Sequence, residues 1–441
     1  MTLIPDQLRW AADHFPDQTG FEVAGVGALT LGRWHSTSSQ VARGLVARGV
    51  QPGDRVAMVL HPRDGLTFVC AYAAIHKAGG VAVPVNIRQS AAQVRTILSH
   101  CDPAVVIVSE DLVDLLADET AASAVVVSSA SGDTGLDELY DADDSDLQVP
   151  RDDDDLAEIL YTSGTTSAPK GVAVRHTNSA LFLTAKPEWS GRPWIHASPL
   201  FTFSGLTFVY QPMRMGMSTL YQPKFDAKEW LRLTETEKPR ACFLVPAMVE
   251  LLLAEPATFT TDWSSYEIVS IGSAPIAPST LVRFAQLVPE ALVTNSYSMT
   301  EAGTAYFMMP KGELVNRPGS VGKAVPPAEV RILDDEGHAV GTDEIGNIQV
   351  KPAGRMREYY NAPPEAEGIF NPDGWLRTGD LGKFDADGFL YIVGRAKDVI
   401  IRGGLNVYSA DIEAVLYQHP DVREAVVVGV EHKVLGEDVV A

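Results

Sequence analysis

The first third of the chain alternates between short apolar runs and longer amphipathic segments. Apolar, β-branched runs with the length of buried strands lie at 55–60, 81–85, 105–108 and 125–127. Amphipathic segments with helical spacing lie between them at 36–49, 64–79 and 90–101. Strands that alternate with helices predict an α/β fold with a mostly parallel, doubly wound sheet.

A second alternating region runs from Leu156 to about Ala305, with strand-like segments at 157–163, 193–198, 241–245 and 267–272. From 318 to 393 the pattern changes to short β-like pieces broken by turn signals, at 329–333, 345–352 and 389–393. This pattern predicts a small β-barrel or another β-rich subdomain. After Gly394 a new unit starts, with a helix near 409–418 and a strand at 425–430. We therefore predict a large N-terminal domain over 1–394 and the start of a small, incomplete α+β domain over 395–441.

The two alternating regions are joined by a segment rich in Ser, Gly and Asp. Residues 129–155 include the acidic runs Asp141-Ala-Asp-Asp-Ser-Asp146 and Arg151-Asp-Asp-Asp-Asp155. Such a composition predicts a solvated linker. A calcium-binding loop would need the spaced Gly and Glu of that motif, which are absent here.

Composition and charge narrow the class of protein. The formal net charge of -22 disfavours nucleic acid and anionic lipid as partners, and it requires any anionic ligand to be held by local amides, cations or a metal. The three cysteines are odd in number and widely spaced, which indicates a reduced, cytoplasmic protein with buried thiols. Neither a signal peptide nor an apolar run long enough to span a membrane is expected.

One loop carries the strongest chemical signal. The sequence Tyr161-Thr-Ser-Gly-Thr-Thr-Ser-Ala-Pro-Lys-Gly-Val172 follows a strand-like run. Its hydroxyls and backbone amides can surround phosphate oxygens, and its lysine adds positive charge. It is not the Walker A pattern, and a generic Gly/Ser loop would only turn the chain. The candidate phosphate-binding residues are Thr162, Ser163, Gly164, Thr165, Thr166 and Lys170.

Five further segments follow in order, each a weak turn or surface signal when taken alone. They are Gly272-Ser-Ala-Pro-Ile276, Asn295-Ser-Tyr-Ser-Met-Thr-Glu301, Gly374-Trp-Leu-Arg-Thr-Gly-Asp-Leu381, Tyr391-Ile-Val-Gly-Arg-Ala-Lys-Asp398 and Arg402-Gly-Gly-Leu-Asn-Val407. With the phosphate loop, they closely resemble the adenylate-forming superfamily of acyl-CoA synthetases, peptide-synthetase adenylation domains and beetle luciferases. The resemblance extends from about residue 20 to the end. It implies two doubly wound sheets and a β-barrel in the large domain, with a small domain that rotates between half-reactions.

The resemblance also implies roles for individual residues. Tyr297 would stack on adenine, Thr300 would bond the α-phosphate, and Glu301 would hold Mg²⁺. Asp380 would accept both ribose hydroxyls and Arg395 would reach the ribose or phosphate, while Lys397 would act as the pivot. Thr300, Glu301 and Lys397 are the implied catalytic residues. The remaining nucleotide-binding candidates are Gly272, Ser273, Ala274, Pro275, Asn295, Ser296, Ser298, Met299 and Tyr391.

Two more sites follow from the same resemblance. The implied acyl pocket consists of Phe201, Thr202, Phe203, Gly205, Gly272, Met299 and Gly303. Its aromatic and methionine content favours an apolar acid over an amino acid, although several of these side chains could equally be ordinary core. The implied coenzyme A site consists of Arg402, Gly403, Gly404 and Leu405.

Four features depart from the family pattern. Ser167 stands where the phosphate loop usually has Gly, Ser298 replaces the Gly after the stacking Tyr, and Thr202 occupies a position that is often His. The chain also ends at Ala441, before the expected C-terminal lysine. This early end is either a natural feature or the result of a shortened sequence.

The leading prediction is an AMP-forming ligase that uses ATP, Mg²⁺ and coenzyme A to turn a carboxylic acid into acyl-CoA. The alternatives are an enzyme that only converts a preformed acyl-adenylate to acyl-CoA, a carrier-protein loading enzyme, and a nucleotide-binding scaffold without turnover. The oligomeric state is left open, with a homo-oligomer as one option.

Overall fold

The chain divides into two compact units, each described by itself. The computed structural model describes residues 3–127, 134–162, 170–179, 186–303, 307–352, 358–362, 371, 373–416, 419, 422 and 425–441. The first unit contains the described residues up to Phe243 together with residues 358–362. The second contains the described residues from Leu244 onward, apart from that short segment.

The helices and strands follow in chain order. The helices are α1 (Ile4–His14), α2 (Leu31–Ala47), α3 (Gly65–Lys77), α4 (Ala91–Cys101), α5 (Asp118–Ser123), α6 (His176–Ser179), α7 (Phe203–Arg214), α8 (Ala227–Glu237), α9 (Pro246–Ala254), α10 (Pro278–Ala285), α11 (Glu313–Asn316) and α12 (Ser409–Leu416). The strands are β1 (Thr19–Val23), β2 (Gly27–Thr30), β3 (Arg55–Val59), β4 (Val81–Pro84), β5 (Val105–Ser109), β6 (Val125–Val127), β7 (Leu156–Thr162), β8 (Lys170–Arg175), β9 (Pro193–His196), β10 (Ser218–Tyr221), β11 (Ala241–Leu244), β12 (Ile268–Gly272), β13 (Leu292–Ser296), β14 (Phe307–Met308), β15 (Ser320–Ala324), β16 (Glu329–Leu333), β17 (Gly346–Lys351), β18 (Glu358–Tyr359), β19 (Leu376–Phe384), β20 (Leu390–Arg395), β21 (Ile400–Arg402), β22 (Leu405–Val407), β23 (Val428–His432) and β24 (Gly436–Val440).

The first unit contains a seven-stranded sheet in the order β18-β8-β7-β4-β3-β5-β6. Strands β3 to β7 pair in parallel, and β8 returns antiparallel beside β7 as the second arm of a hairpin. The strands at its centre are apolar on both faces, as expected for a sheet covered by helices on both sides. The predicted α/β pattern of this region is confirmed.

The first unit also contains β9, β10 and β1 in parallel, with β11 beside β9 and β2 antiparallel to β1. Helix α7 follows β9 and packs aromatic side chains over it, since the Phe208 ring centroid lies 5.3 Å from that of Trp194. Strand β9 is flanked by parallel strands on both sides, and α/β sheets usually bind ligands at the carboxyl ends of such strands.

The acidic segment before β7 corrects part of one prediction. Residues 134–140 are anchored in the core, because Leu136 and Leu139 are fully buried, whereas most of the acidic residues from 141 to 155 are exposed to solvent as predicted. Arg43 of α2 donates hydrogen bonds to the carbonyl oxygens of Asp143 and Ser145, at 3.1 and 3.0 Å. Asp146 accepts a 2.6 Å hydrogen bond from Arg9 of α1. Apolar anchors and arginines from distant helices therefore hold this segment, and its composition did not reveal them.

The second unit contains three groups of strands. Strands β12 and β13 pair in parallel. The predicted β-rich region forms a six-stranded antiparallel sheet in the order β14-β15-β20-β19-β17-β16. A four-stranded antiparallel sheet, β22-β21-β24-β23, with helix α12 forms the small C-terminal domain. The predicted boundary between 394 and 395 stays a prediction, because residues on both sides of it belong to this unit.

Two further observations concern the described helices and the cysteines. Within the described residues, the helices are all too short or too polar to cross a lipid bilayer. Cys70, Cys101 and Cys242 are buried free thiols, in agreement with their predicted role as core residues.

Candidate active site

The centre of the candidate site is a hydrogen-bonded group in the second unit, formed by Tyr297, Asp380 of β19 and Arg395 of β20. The phenol of Tyr297 donates a 2.5 Å hydrogen bond to Oδ2 of Asp380. Nε of Arg395 lies 3.4 Å from Oδ1 of the same carboxylate, because Asp380 and Arg395 are register partners on the two strands. The structure thus brings together three residues that the sequence predicted to bind one nucleoside.

Burial controls the charge of this group. Burial raises the pKa of Asp380 above its usual value, while the hydrogen bond from Tyr297 and the charge of Arg395 act in the opposite direction. The neighbouring carboxylates of Asp398 and Glu301 add to the rise. In its ionised form, a buried carboxylate is a strong acceptor for the two hydroxyls of a ribose.

Two residues that the sequence did not single out hold the group in place. The hydroxyl of Thr378 accepts a 3.0 Å hydrogen bond from the backbone amide of Asp380 and donates one of 2.9 Å to the carbonyl of Ile348. The ring of Phe307 lies 5.7 Å from that of Tyr297 and supports it from one side. Thr378 lies within the quoted segment 374–381, so its position beside Asp380 was the available signal.

The two predicted adenine segments follow neighbouring strands. Gly272 ends β12 and Ser296 ends β13, and the two are register partners. A Cβ at Gly272 would lie 2.5 Å from the carbonyl oxygen of Ser296, so only glycine fits there. Ser273 takes a left-handed backbone conformation with φ of 70°, which exposes the turn Ser273, Ala274 and Pro275. Asn295 reaches the carbonyl of Ser320 with its side-chain amide at 3.5 Å.

The predicted catalytic pair lies on a tight turn. Met299 and Gly303 form an isolated antiparallel bridge, and the backbone amide of Gly303 donates to the carbonyl of Thr300 at 3.4 Å. Thr300 and Glu301 therefore lie at the tip of this turn, partly exposed, while Ser298 before it is exposed. In the described residues, no group of three His, Cys, Asp or Glu side chains is arranged to hold a metal ion. Mg²⁺ is commonly bound by one or two carboxylates plus substrate phosphates, and Glu301 fits that pattern.

The predicted hinge and coenzyme A segments are exposed. Lys397 lies in a short 3₁₀ turn after β20 with an exposed side chain. Gly403 and Gly404 form the two-residue loop of the β21–β22 hairpin, between the paired residues Arg402 and Leu405. Both glycines have positive φ, 61° and 85°, which is typical of a type I′ turn. Arg402 is held by Asp438 of β24 at 2.7 Å, and Leu405 is 72% exposed.

Tyr391 lies on β20 as register partner of Ser320 and Lys383. Burial raises the pKa of its phenol, and the charges of Asp385 and Arg317 act on it as well. Arg317 pairs with Asp385 and Asp387 and stacks on Phe389 at 4.2 Å. The side chain of Tyr391 is thus part of this ionic cluster, and a nucleotide contact for it stays a prediction.

The first unit contains the hairpin that bears the predicted phosphate loop. Thr162 at the end of β7 is the register partner of Lys170 at the start of β8. Nζ of Lys170 lies 5.8 Å from the centroid of the Tyr359 ring. Ser163, Gly164, Thr165 and Thr166 lie outside the described residues, as does Ser167.

The predicted acyl segment of the first unit begins helix α7. Oγ1 of Thr202 accepts a 3.1 Å hydrogen bond from the backbone amide of Gly205 and so caps the helix. Gly205 is required by close packing, because a Cβ there would lie 2.0 Å from the carbonyl oxygen of Pro199. Phe201 is partly exposed, and Phe203 packs against the main core. Thr202 therefore has a structural role where the family often has a ring.

Comparison with known proteins assigns the chain to a family. The family model described as AMP-binding enzyme matches residues 8–360, and the model described as AMP-binding enzyme C-terminal domain matches 411–441.

The chain is a member of the AMP-binding enzyme family.

Similar proteins agree with this assignment. A long-chain-fatty-acid–CoA ligase of Mycobacterium tuberculosis strain H37Rv is 30% identical over 422 residues, which cover 93% of this chain and 82% of the relative. A feruloyl-CoA synthase of an Amycolatopsis species is 31% identical over 421 residues, covering 94% of this chain and 83% of the relative. The solved structure of o-succinylbenzoate CoA synthetase from Bacillus subtilis, in complex with its acyl-adenylate intermediate, is 28% identical with a TM-score of 0.84, covering 100% of this chain and 88% of the other.

These findings confirm the predicted superfamily, its fold class and the main functional prediction. This AMP-binding enzyme is an acid–CoA ligase that works through an acyl-adenylate, as its homologues do. ATP and coenzyme A are its predicted co-substrates on the same basis.

Proposed function

We propose that this AMP-binding enzyme activates a largely apolar carboxylic acid, with Tyr297, Asp380 and Arg395 as its nucleoside-binding residues. The single observation that carries the proposal is the contact of one buried carboxylate with both a tyrosine phenol and an arginine. In this arrangement Asp380 accepts the ribose hydroxyls, and the Tyr297 ring provides a flat surface for adenine.

The first half-reaction joins the acid to AMP. A carboxylate oxygen of the acid attacks the α-phosphorus of ATP, a new O–P bond forms, and pyrophosphate leaves. The attack brings two anions together, so it depends on neutralised phosphate charge. Thr300 donates a hydrogen bond to an α-phosphate oxygen, and Lys170 provides positive charge to the phosphates. When bound through Glu301, Mg²⁺ would neutralise phosphate charge during the attack.

The second half-reaction transfers the acyl group. The thiol of coenzyme A loses its proton to solvent and its sulfur attacks the acyl carbon. A C–S bond forms, the C–O bond to the phosphate breaks, and AMP leaves. The exposed hairpin loop of Gly403 and Gly404 lacks side chains, so its backbone can approach the pantetheine arm closely. Arg402 and Leu405 flank that loop, and Lys397 is the proposed pivot between the half-reactions.

A second candidate function rests on the residue at the start of α7. Thr202 is engaged as a helix cap, with its hydroxyl also donating to the carbonyl of Pro199 at 2.7 Å. No imidazole is therefore available at this position to guide the carboxylate. An enzyme that lost adenylation would still convert a preformed acyl-adenylate to acyl-CoA.

Testing the two half-reactions separately distinguishes these functions. One reaction contains acid, ATP, Mg²⁺ and coenzyme A, and the other contains synthetic acyl-adenylate and coenzyme A, with thioester followed by mass spectrometry. Thioester in both reactions supports the complete ligase, and thioester from the adenylate alone supports the second function. Asp380→Asn serves as the matched control, because it keeps the shape of the side chain but removes its charge. Product from neither reaction, with any acid in a broad panel, would contradict the proposal.

The cellular compartment and the partners of the enzyme belong to the same proposal. Three buried free thiols and the use of ATP and coenzyme A favour the cytoplasm. A strongly acidic surface disfavours nucleic acid as a partner. A carrier protein in place of coenzyme A would appear as acyl transfer to the carrier in the second reaction, and a homo-oligomer would be visible by light scattering.

A further inference from the structure

Buried polar side chains cluster at the carboxyl ends of β9 and β10. His196 ends β9, is fully buried, and has no hydrogen-bonding partner for either ring nitrogen within the part of the chain that the structure describes. The same holds, in those residues, for Oγ of Ser198 and the hydroxyl of Tyr221, which are also buried. Buried polar groups are nearly always hydrogen-bonded, so three without partners at one sheet edge indicate a missing partner.

Aromatic rings enclose His196. Tyr221 of β10 and Phe243 of β11 are its register partners on the two neighbouring strands. The His196 ring centroid lies 5.1 Å from that of Tyr221 and 5.1 Å from that of Phe208. Bulk water does not reach the imidazole in this setting, so its partner must be a group bound inside the unit.

The location connects this cluster to the acid rather than to the nucleotide. Phe208 lies on α7, whose first turn carries the proposed acyl-pocket residues Phe203 and Gly205. Ser198 lies between β9 and that turn, and the hydroxyl of Thr202 is already used as the cap. The His196 ring thus packs against the helix that begins with the proposed acyl segment, at the carboxyl end of β9 where α/β folds bind ligands.

The chemistry of the cluster restricts the ligand. Burial lowers the pKa of His196 to about 3, so its ring is neutral at physiological pH. A neutral imidazole offers one donor and one acceptor, and the hydroxyls of Ser198 and Tyr221 offer both. A second carboxylate, at the distal end of the acid, would be buried against uncharged groups at a high cost in free energy. A hydroxyl is uncharged and can both donate and accept a hydrogen bond.

We propose that His196, with Ser198 and Tyr221, hydrogen-bonds a hydroxyl group at the distal end of the acyl group, which makes hydroxylated acids the preferred substrate class. This inference rests on the proposed function, since it concerns the acid that the ligase activates. An ordered water molecule held by the three side chains is the competing explanation.

The test measures binding without requiring turnover. Non-hydrolysable acyl-sulfamoyl-adenosines are made in matched pairs, from phenylpropanoic acid and its para-hydroxy derivative, and from octanoic acid and its omega-hydroxy derivative. Calorimetry gives the dissociation constant of each. We expect the hydroxylated member of at least one pair to bind at least about tenfold more tightly than the unsubstituted member, because a ligand without the hydroxyl leaves buried polar groups unpaired.

Substitutions of His196 and Tyr221 test whether these residues cause the preference for a hydroxylated ligand. His196→Phe should reduce the ratio within that pair to about one, and Tyr221→Phe, which removes a single hydroxyl, should reduce it partly. Trp194→Phe is the matched control, since this residue lies two positions earlier on β9, is buried, and has an indole nitrogen without a partner in the described residues. Trp194→Phe should keep the wild-type ratio. The thermal unfolding midpoint of each variant confirms that it is folded.

The outcomes separate the two proposals. Equal binding within every pair, or a preference that persists in His196→Phe, would overturn the inference in favour of an ordered water, while binding of the unsubstituted members would still support the adenylate site. If no member of either pair binds, the proposed function fails, and this inference fails with it.

Discussion

The phenol of Tyr297 and the carboxylate of Asp380 are joined by a 2.5 Å hydrogen bond although 83 residues separate them in the chain. Tyr297 follows β13, whereas Asp380 lies within β19. The bond fixes the ring beside the carboxylate before any nucleotide arrives, so the proposed adenine and ribose contacts share one preorganised element.

Removing the phenol hydroxyl should weaken ATP binding and leave the fold intact. Tyr297→Phe retains the ring but deletes the hydrogen bond to a charged acceptor, and we expect the KM for ATP to rise about tenfold. Steady-state kinetics with varied ATP checks this. Tyr266→Phe, at another buried tyrosine of the second unit, is the control and should leave the KM unchanged. An unaltered KM in Tyr297→Phe would argue against the nucleoside role.

The pH dependence of ATP use should follow Asp380. Burial raises the pKa of this carboxyl, and only its ionised form accepts two ribose hydroxyls, so kcat/KM for ATP should fall as the pH is lowered through that raised pKa. Arg395→Gln removes a charge that lowers the pKa of Asp380, so the acid limb should move to higher pH. Measuring kcat/KM for ATP against pH in both proteins tests this, and a limb that stays in place would show that another group is responsible.

The free energy of unfolding should depend on the ionisation of Asp380 in the opposite sense to ATP use. A raised folded-state pKa means that folding favours the protonated carboxyl, so this contribution to stability is present at low pH and is lost as the pH rises through the folded pKa. Asp380→Asn, which cannot ionise, should therefore unfold at the same or a higher temperature than wild type at neutral pH while losing ATP-dependent activity. A clearly lower unfolding temperature would indicate that the ionised group stabilises the fold.

At the β21–β22 hairpin loop, two effects on acyl transfer can be tested separately: the backbone conformation and the lack of side chains. Gly403 has φ of 61°, a region that Asn tolerates and Val does not. Gly403→Val should slow acyl transfer to coenzyme A while ATP–pyrophosphate exchange is retained. If the turn alone matters, Gly403→Asn behaves as wild type; if the backbone must contact the pantetheine arm, Asn is impaired as well. Loss of pyrophosphate exchange in Gly403→Asn would contradict the assignment to the second half-reaction.

A buried lysine should make the stability of the first unit depend on pH. Nζ of Lys77 is 2.6 Å from the carbonyl oxygen of His35 and 2.8 Å from Oγ of Ser39, and burial lowers the pKa of Lys77 to about 7. The unfolded chain thus binds more protons than the folded chain above that pH, so stability rises with pH from about 7 towards the ordinary lysine value.

Lys77→Met removes this contribution. The difference in the free energy of unfolding between wild type and Lys77→Met should shift in favour of wild type as the pH is raised from neutral to about 10. Urea unfolding at several pH values measures it. Lys228→Met, on the exposed face of α8, is the control and should show no such trend. A constant difference for Lys77→Met would contradict the prediction.

Local patterns in the sequence located most strands to within a few residues. The run Val105–Val108 became β5 (Val105–Ser109), and the segment 90–101 became α4 with Ser90 as its cap. These elements are determined by apolar periodicity and by capping residues close in sequence, both of which a single sequence displays.

The features that could not be predicted from the sequence depend on residues that are distant in the chain. The anchoring of the acidic segment is not predicted, because Arg9 and Arg43 lie 137 and 100 residues before the residues that they bind. Thr202 is predicted as an acyl-pocket residue at a position that is often His, and its role as a helix cap is missed, although Thr at the start of a helix is a capping signal. Nothing in the sequence marks His196 as a site residue, because one histidine within an apolar run usually belongs to the core, and only its unpaired nitrogens in the described structure distinguish it.

The acidic segment also makes the fold of the first unit sensitive to salt. Asp143 pairs with Arg43, Asp146 with Arg9, and Glu138 with Arg48, so three carboxylates of the segment are held by arginines that lie much earlier in the chain. Dissolved ions screen such surface pairs. Raising the ionic strength should therefore loosen the attachment of this segment before it affects the apolar core.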